Sequence, residues 1–393
     1  MTKYIKRFEL TSKYEEYINS DIALLPNVSL TNDNNIVHYN PITNYLKFTA
    51  EEDNSTISLN STTSPDIKYS LNGGEWTQWD YSAITLNIGD TVRMKGNNSN
   101  GFSTSGSSYN QFQMTGKIGA SGNIMSLLYD DDFEGKLTIP SKYCFYQMFS
   151  NCTSLTTAPE LPATTLTSNC YSDMFNRCTA LTAAPELPAT TLASYCYFEM
   201  FMNCTSLVTA PTTLPATILS NNCYDHMFSS CASITVAPEL PATTLTNYCY
   251  DGMFDGCTAL TTAAELPATT LAYYCYRDMF YNCKSLTSAP ELPATTLIDG
   301  CYHNMFSNCN TLTTAPELPA TTLVYGCYSG MFNWCTNLNY IKMLATDISA
   351  NSCLSSWVTG VSSTGTFVKH PNMTSLLTGT SGIPDGWTVQ DVA

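Results

Sequence analysis

Seventeen cysteines are the residues of this 393-residue chain that offer the most chemistry. One series runs from Cys144 to Cys353 in steps of 26 residues, with a single step of 27. A second series runs from Cys152 to Cys335 and follows the first by eight residues. Cysteines in such a pattern can form disulfides, bind zinc or fill a core as small thiols.

The spacing of the cysteines argues against disulfides and zinc. A disulfide between Cys144 and Cys152 requires Cα atoms within about 7 Å, and eight residues that include a helical turn hold them farther apart. Equivalent cysteines in neighbouring repeats are close, but their parallel Cβ vectors give poor disulfide geometry. Structural zinc sites usually contain a close pair such as C-x2-C, and the pairs here are C-x7-C and C-x17-C. The pattern favours reduced, buried thiols.

Two groups of carboxylates are candidate cation sites. The cluster of Asp130, Asp131, Asp132 and Glu134 predicts an acidic turn, with a calcium loop as the alternative. The other group recurs along the repeats at Glu160, Glu186, Glu239, Glu265, Glu291 and Glu317. Stacked like charges repel one another, so this group predicts a solvated rim, with a weak hard-cation site as the alternative.

Several classes of function are excluded by composition and motifs. The formal charge of −16 repels nucleic acid, and no run of about 20 apolar residues could span a membrane. The N-terminal residues 1–8 carry positive charge without a following apolar stretch, so we expect no Sec signal. The four histidines are scattered, and no Ser–His–Asp set, zinc-protease motif or phosphate loop occurs. The chain is therefore predicted to be non-enzymatic and to need no cofactor.

The elements that position these residues follow from the repeat. The unit C-Y-x-x-M-F-x-x-C-T-x-L-T-x-A-P-E-L-P-A-T-T-L-x-x-x recurs eight times, and such a period with recurring Leu is typical of a leucine-rich-repeat solenoid. In one coil, residues 155–158 and 163–166 predict short strands, and residues 168–176 predict one or two helical turns with one buried face. Coils about 4.8 Å apart give a rod on the order of 40 Å long.

The rest of the chain divides around this solenoid. Alternating apolar positions and Asn-Gly and Gly-Asp turns predict strands joined by tight turns. This region resembles the small, immunoglobulin-like sandwich modules appended to bacterial glycosidases and surface proteins. The fold class is mainly β with short helical turns, a solenoid preceded by a sandwich module. The predicted order is an attachment segment (1–41), the sandwich (42–117), an N-terminal cap (118–143), eight coils (144–340) and a C-terminal cap (341–393).

A few repeat positions vary freely between copies, before and after C-Y and after M-F. We expect that the stacking of coils does not constrain them. Their large aromatic and cationic members are Tyr195, Phe198, Tyr273, Tyr274, Arg277, Tyr281, Tyr325 and Trp334. Exposed Tyr, Trp and Arg are usual interface anchors, so this set is predicted to bind a ligand, with neutral drift as the alternative. The Thr-rich strand side is the other candidate surface.

The unit M-F-x-x-C-x-x-L-x-x-x-P-x-L-P resembles the BspA-like leucine-rich repeats of Bacteroidetes surface proteins and their phages. The stretches 357–369 and 382–389 are similar to the cap that closes such arrays. This resemblance implies a non-enzymatic binding or display solenoid, often an adhesin. The stretches 24–30 and 37–41 resemble the N-terminal segment of Bacteroides phage surface proteins.

These resemblances imply a phage structural protein, a fibre or capsid decoration on the virion surface that adheres through its solenoid. A capsid or tail protein, or a second copy of the chain, is the expected partner of the attachment segment. A host-surface glycan or protein is the expected ligand of the solenoid. The alternatives are a BspA-like adhesin on the bacterial cell surface and an accessory protein of glycan processing.

Overall fold

The computed structural model describes residues 28–33, 36–41 and 44–392, which fall into two compact units, Met1–Tyr45 and Leu46–Ala393. In the first unit, strands β1 (Val28–Asp33) and β2 (Ile36–Pro41) form an antiparallel hairpin. The other residues of the predicted attachment segment lie outside the described residues.

The second unit begins with a β-sandwich, as the sequence predicts. The strands are β3 (Leu46–Ala50), β4 (Ser55–Ser61), β5 (Lys68–Leu71), β6 (Thr77–Gln78), β7 (Ile84–Leu86), β8 (Thr91–Lys95), β9 (Asn110–Thr115), β10 (Ile118–Ser121) and β11 (Leu155–Thr157), with a short helix α1 (Ser126–Tyr129). One sheet has the order β11-β10-β3-β8-β5-β6 and the other β7-β4-β9. Apolar residues alternate along β3 and β4, and this period-2 pattern turns one face of each sheet into the core.

The sandwich and the solenoid share one hydrogen-bonded ladder. Strand β10 pairs antiparallel with β3 of the sandwich and parallel with β11 of the first coil. The backbone N–H of Phe112 in β9 donates to the carbonyl of Met148 at 2.8 Å, as each coil donates to the next. The Phe112 ring stacks on Phe149, with centroids 5.4 Å apart. The sandwich thus covers the first coil, and residues 117 and 118 lie within one compact unit.

The predicted fold class is confirmed, because the chain is a mainly-β solenoid of 26-residue coils. Equivalent rings stack from coil to coil in two interior columns, one running from Phe149 to Phe332 and one from Tyr171 to Tyr328. Neighbouring centroids are 5.4–5.9 Å apart in the Phe column and 5.7–6.0 Å apart in the Tyr column. These separations suit stacked aromatic rings.

The segment predicted as helical turns has a different backbone. Alternate N–H groups cross to the next coil, as in Tyr171 N–H to Cys196 O at 3.0 Å, while those between them close turns, as in Met174 N–H to Tyr171 O at 3.2 Å. Every fourth residue has a positive φ, for example Asp173 at 55°. An α-helix would use its N–H groups internally. In these consecutive turns, alternate N–H groups instead bond to the next coil and hold the coils together.

The C-terminal end is closed by a parallel sheet of β12 (Tyr340–Met343), β13 (Thr366–Lys369) and β14 (Thr388–Asp391). Trp357 lies at the end of the Phe column, fully buried, with its ring 6.1 Å from that of Phe332. Its indole N–H donates to the carbonyl of Gly382 at 2.9 Å. The large ring therefore joins the buried core of the C-terminal end without leaving its indole N–H unpaired.

All seventeen cysteines are free and buried. Thiols of the second series donate to a Phe carbonyl of a neighbouring coil, as in Cys178 Sγ to Phe149 O at 3.1 Å. Burial raises the pKa of these thiols, that of Cys204 to about 12. Since the thiolate is the reactive form, the interior makes these cysteines inert.

We therefore expect the native protein to resist thiol labelling. A maleimide should modify at most Cys353, whose side chain is the least deeply enclosed, because burial keeps the others protonated and out of reach. After denaturation without reductant, mass spectrometry should count 17 labels per chain. Fast native labelling of many sites, or a denatured count well below this number, would contradict the burial of reduced thiols.

Candidate ligand-binding surface

The predicted ligand-binding residues lie on the turn side of the coils. Tyr195, Tyr273, Tyr325 and Trp334 are exposed, with 37–54% of each side chain accessible. The other four are half-buried: Phe198, Tyr274, Arg277 and Tyr281. The set therefore contains four side chains that a large partner could reach directly.

The structure gathers three members of this set into one group and adds Tyr248, which the sequence analysis did not select. The rings of Tyr273 and Tyr274 meet edge to face with centroids 4.3 Å apart. Tyr248 stacks on Tyr274 at 5.6 Å and meets Tyr273 edge to face at 5.5 Å. The guanidinium of Arg277 lies 5.4 Å from the Tyr248 ring and 5.1 Å from the Tyr274 ring, which suits cation–π contacts. These four residues are called the tyrosine cluster below.

Arg277 is fixed by a carboxylate from the neighbouring coil. Its Nε donates to Oδ1 of Asp251 at 2.9 Å, and its Nη2 donates to Oδ2 of the same group. Only 1% of the Asp251 side chain is exposed. Burial and the nearby Asp225 raise the pKa of Asp251 to about 7, against the opposing effect of Arg277. This two-pronged pair ties two coils together beneath the tyrosine rings.

Of the other predicted residues, Tyr325 lies near enough to Tyr274 to help raise the pKa of that phenol, after the larger effects of burial and Tyr273. Tyr195 meets Phe198 edge to face at 5.7 Å. The backbone carbonyls of Tyr281 and Tyr325 accept hydrogen bonds from glycines of neighbouring coils, at 2.9 Å each. Trp334 lies over Gly360. The ring contacts thus form local groups along the turn side.

The expectation that stacking leaves these positions unconstrained is wrong for Tyr274 and Trp334. A Cβ on Gly300 would lie 2.4 Å from the Tyr274 ring, and a Cβ on Gly360 would lie 2.7 Å from the Trp334 ring. Both aromatic residues have positive φ. Each large ring is therefore accommodated by a glycine at the equivalent position of the next coil.

This arrangement predicts that Gly300→Ala destabilises the chain more than Gly326→Ala. Both glycines have φ near +60°, so the backbone strain of about 1–2 kcal/mol is common to them. Only Gly300 faces a ring, whereas nothing lies within 4 Å of a Cβ on Gly326. Urea denaturation should show the larger loss of stability for Gly300→Ala, and in a Tyr274→Ser background the two glycine variants should lose the same amount. Equal losses in the two glycine variants would rule out the ring contact as a constraint.

Two half-buried carboxyl groups of the solenoid, Glu199 and Asp255, have pKa values above their ordinary range. Nδ2 of Asn176 donates to Asp173 Oδ1 at 3.0 Å and to Glu199 Oε2 at 3.3 Å. Burial and the charge of Asp173 raise the pKa of Glu199 to about 7. Burial also raises the pKa of Asp255 to about 6, against the charge of His226. The folded chain therefore holds protons that the unfolded chain releases.

The expected consequence is a stability that falls between pH 5 and pH 8. Because the folded-state pKa values of Glu199 and Asp255 are raised, their contribution is complete below their ordinary values and is lost as the pH rises through about 6 and 7. The melting temperature should be higher at pH 5 than at pH 8. Glu199→Gln should flatten the dependence of the melting temperature on pH. Glu291→Gln, on the exposed rim, is the control that should leave it unchanged. A profile that is identical in both variants would contradict this origin.

The candidate cation sites are paired with lysines or exposed at the surface. Asp130 and Asp131 each lie 2.7 Å from the ammonium of Lys95, and Asp132 lies 3.2 Å from that of Lys136. The six glutamates of the repeat series are all exposed, as a solvated rim requires. In the described part of the chain, no three His, Cys, Asp or Glu side chains converge as a metal site would need. The same residues contain no helix with the length and apolarity to cross a bilayer.

Comparisons with known proteins give little beyond this geometry. No protein-family model and no curated protein matches the sequence. Two chains of solved structures match, one of them the crystal structure of a leucine-rich repeat protein from Bacteroides ovatus. It shares 15% identity over 64% of this chain and 71% of its own, with a TM-score of 0.34. The fold assignment therefore rests on the 26-residue coils of the chain itself.

Proposed function

We propose that this chain is a non-enzymatic adhesion protein of a phage virion, a fibre or a capsid decoration. The observation that carries the adhesion role is the exposure of large aromatic side chains on one side of the solenoid. Exposed Tyr and Trp bring large contact areas to an interface at a low entropic cost. The other side presents mainly Thr and Glu, which hydrate well, and its exposed apolar side chains, such as Val208 and Ile218, are aliphatic.

The virion assignment is supported by the resemblance of the stretches 24–30 and 37–41 to phage surface proteins. In this proposal the first unit attaches the protein to a capsid or tail protein, and the second unit faces the host. A bacterial surface adhesin of the BspA-like type is the second candidate, since the repeat resembles that family. Mass spectrometry of purified phage particles separates the two, because only a virion protein copurifies with the particles.

Adhesion itself is tested by binding of the purified protein to Bacteroides cells, measured by flow cytometry. Replacing Tyr273, Tyr325 and Trp334 together by Ser should lower binding at least tenfold while the chain stays folded. The matched control replaces Val208, Ile218 and Val236 by Thr, since these are exposed apolar residues on the strand side. Equal loss in both variants, or loss only in the control, would assign adhesion to the strand side.

A further inference from the structure

The rings of the tyrosine cluster form an ordered platform. Tyr248 and Tyr274 are nearly parallel, at 13°, and Tyr273 stands at 79° and 88° to them. Tyr273 has 37% of its side chain exposed, and its backbone N–H donates to the side-chain carbonyl of Asn247 at 3.2 Å. An aromatic ring held in this way presents a fixed surface to a ligand, and its hydroxyl adds a polar handle.

Arg277, the cationic member of the tyrosine cluster, is already paired with carboxyl groups. Two nitrogens of the Arg277 guanidinium bind Asp251, and Nε also lies 3.5 Å from Asp278. Because Nε and Nη2 already donate to Asp251, Arg277 has few N–H donors left for a sulfate or carboxylate group of a ligand. It also lies against the two parallel rings, so a cationic ligand would compete with it for the same aromatic surfaces.

The surrounding charge disfavours anionic ligands as well. The carboxyl groups of Asp251 and Asp278 both lie against the guanidinium of Arg277, and the backbone carbonyl of Asp299 accepts the N–H of Tyr274 at 3.3 Å. Carboxyl groups around one guanidinium repel polyanions. Carboxylates and phenolic oxygens are instead good partners for hydroxyl donors. The chemistry that remains is a neutral ligand with a flat C–H face and many hydroxyl groups.

We infer that the tyrosine cluster binds a neutral glycan, with Tyr273 as the contact platform and Asp251 and Arg277 as positioning residues. This inference rests on the proposed adhesion function and names its ligand class. A sugar ring places its C–H face on Tyr273 and its hydroxyls toward the carboxyl groups. The cluster has four side chains, far fewer than the roughly 20–30 residues that each partner brings to a protein interface, which favours a glycan over a protein partner.

The test is affinity electrophoresis of the full chain in gels that contain yeast mannan or barley β-glucan, with heparin as the polyanionic control. We expect retardation by at least one neutral polysaccharide, unchanged between low and high salt, and none by heparin. Tyr273→Ser should lower the affinity at least tenfold, whereas Tyr273→Phe should keep most of it. Val208→Thr, at an exposed position on the strand side, should have no effect.

The positioning role is tested with Asp251→Asn, which should weaken binding at least fivefold, and with Asp251→Glu, which should recover part of it. Asp255→Asn is the matched control, because Asp255 is a half-buried carboxyl of the same coil, whereas the carboxyl groups that act on Arg277 are Asp251, Asp278 and Asp225. Melting temperatures report on folding, and Tyr273→Ser decides the case if Asp251→Asn does not fold.

Each outcome separates the two proposals. Binding to cells without binding to any neutral polysaccharide would overturn the glycan inference, point to a protein partner and leave the adhesion function standing. Polysaccharide binding that is indifferent to Tyr273→Ser would also overturn it. Failure to bind both cells and polysaccharides would refute the adhesion function itself.

Discussion

A chain that begins at residue 118 is expected to aggregate rather than fold. The deletion removes β3, so β10 loses its antiparallel partner and becomes an open edge. It also uncovers Phe149, which stacks on Phe112 at 5.4 Å, and Phe145, which meets Phe102 at 6.2 Å. Repeat arrays need such end caps, because an exposed terminal coil presents its core to water.

The measurement is size-exclusion chromatography combined with circular dichroism. A chain that lacks only residues 1–43 is the control, since it keeps the second compact unit, and it should elute as a folded species. A monomeric 118–393 chain that unfolds cooperatively would show that the solenoid folds without the sandwich. The predicted difference between the two deletions is the largest effect that the structure implies.

The second large effect is expected from Phe228→Ala. Phe228 is fully buried in the middle of the Phe column, with neighbouring rings at 5.5 and 5.8 Å. Truncation of such a ring costs about 3–5 kcal/mol, because packing is lost and the regular coils above and below cannot collapse into the cavity.

Equilibrium urea denaturation measures this loss. Val236→Thr is the control, since Val236 is 57% exposed at a position that is Thr in other coils, and its effect should stay within about 0.5 kcal/mol. A loss of less than 1 kcal/mol in Phe228→Ala would mean that the column is not the main source of stability.

The repeat allowed the core to be predicted with little ambiguity. Each buried position of the unit recurs in eight copies. The burial of a residue such as Met174 or Phe175 can therefore be predicted from its equivalents in neighbouring coils as well as from its own sequence surroundings. The same redundancy identified the cysteines as interior thiols. Their hydrogen bonds to Phe carbonyls could not be predicted, because they depend on the distance between coils.

The turn backbone left a signal that the sequence analysis interpreted differently. Positions with positive φ recur every fourth residue in each coil, and in the solenoid they hold Asn, Asp, Gly, Ser, Tyr and other residues that are not β-branched. Left-handed backbone excludes β-branched side chains. That bias could have revealed the turn chain, although spacing by four also fits one face of a helix.

The sequence by itself determined the period, the solenoid, the buried framework and the surface that carries the variable aromatic residues, because these depend on local pattern repeated in register. Only the tertiary structure decided that the sandwich caps the first coil and that Tyr248, Tyr273, Tyr274 and Arg277 meet above Asp251. These contacts join residues that are distant in the sequence and that the stacking of coils brings together. Ring orientation, the burial of Asp251 and the glycine beneath Tyr274 depend on the distance between neighbouring coils, which no single repeat encodes.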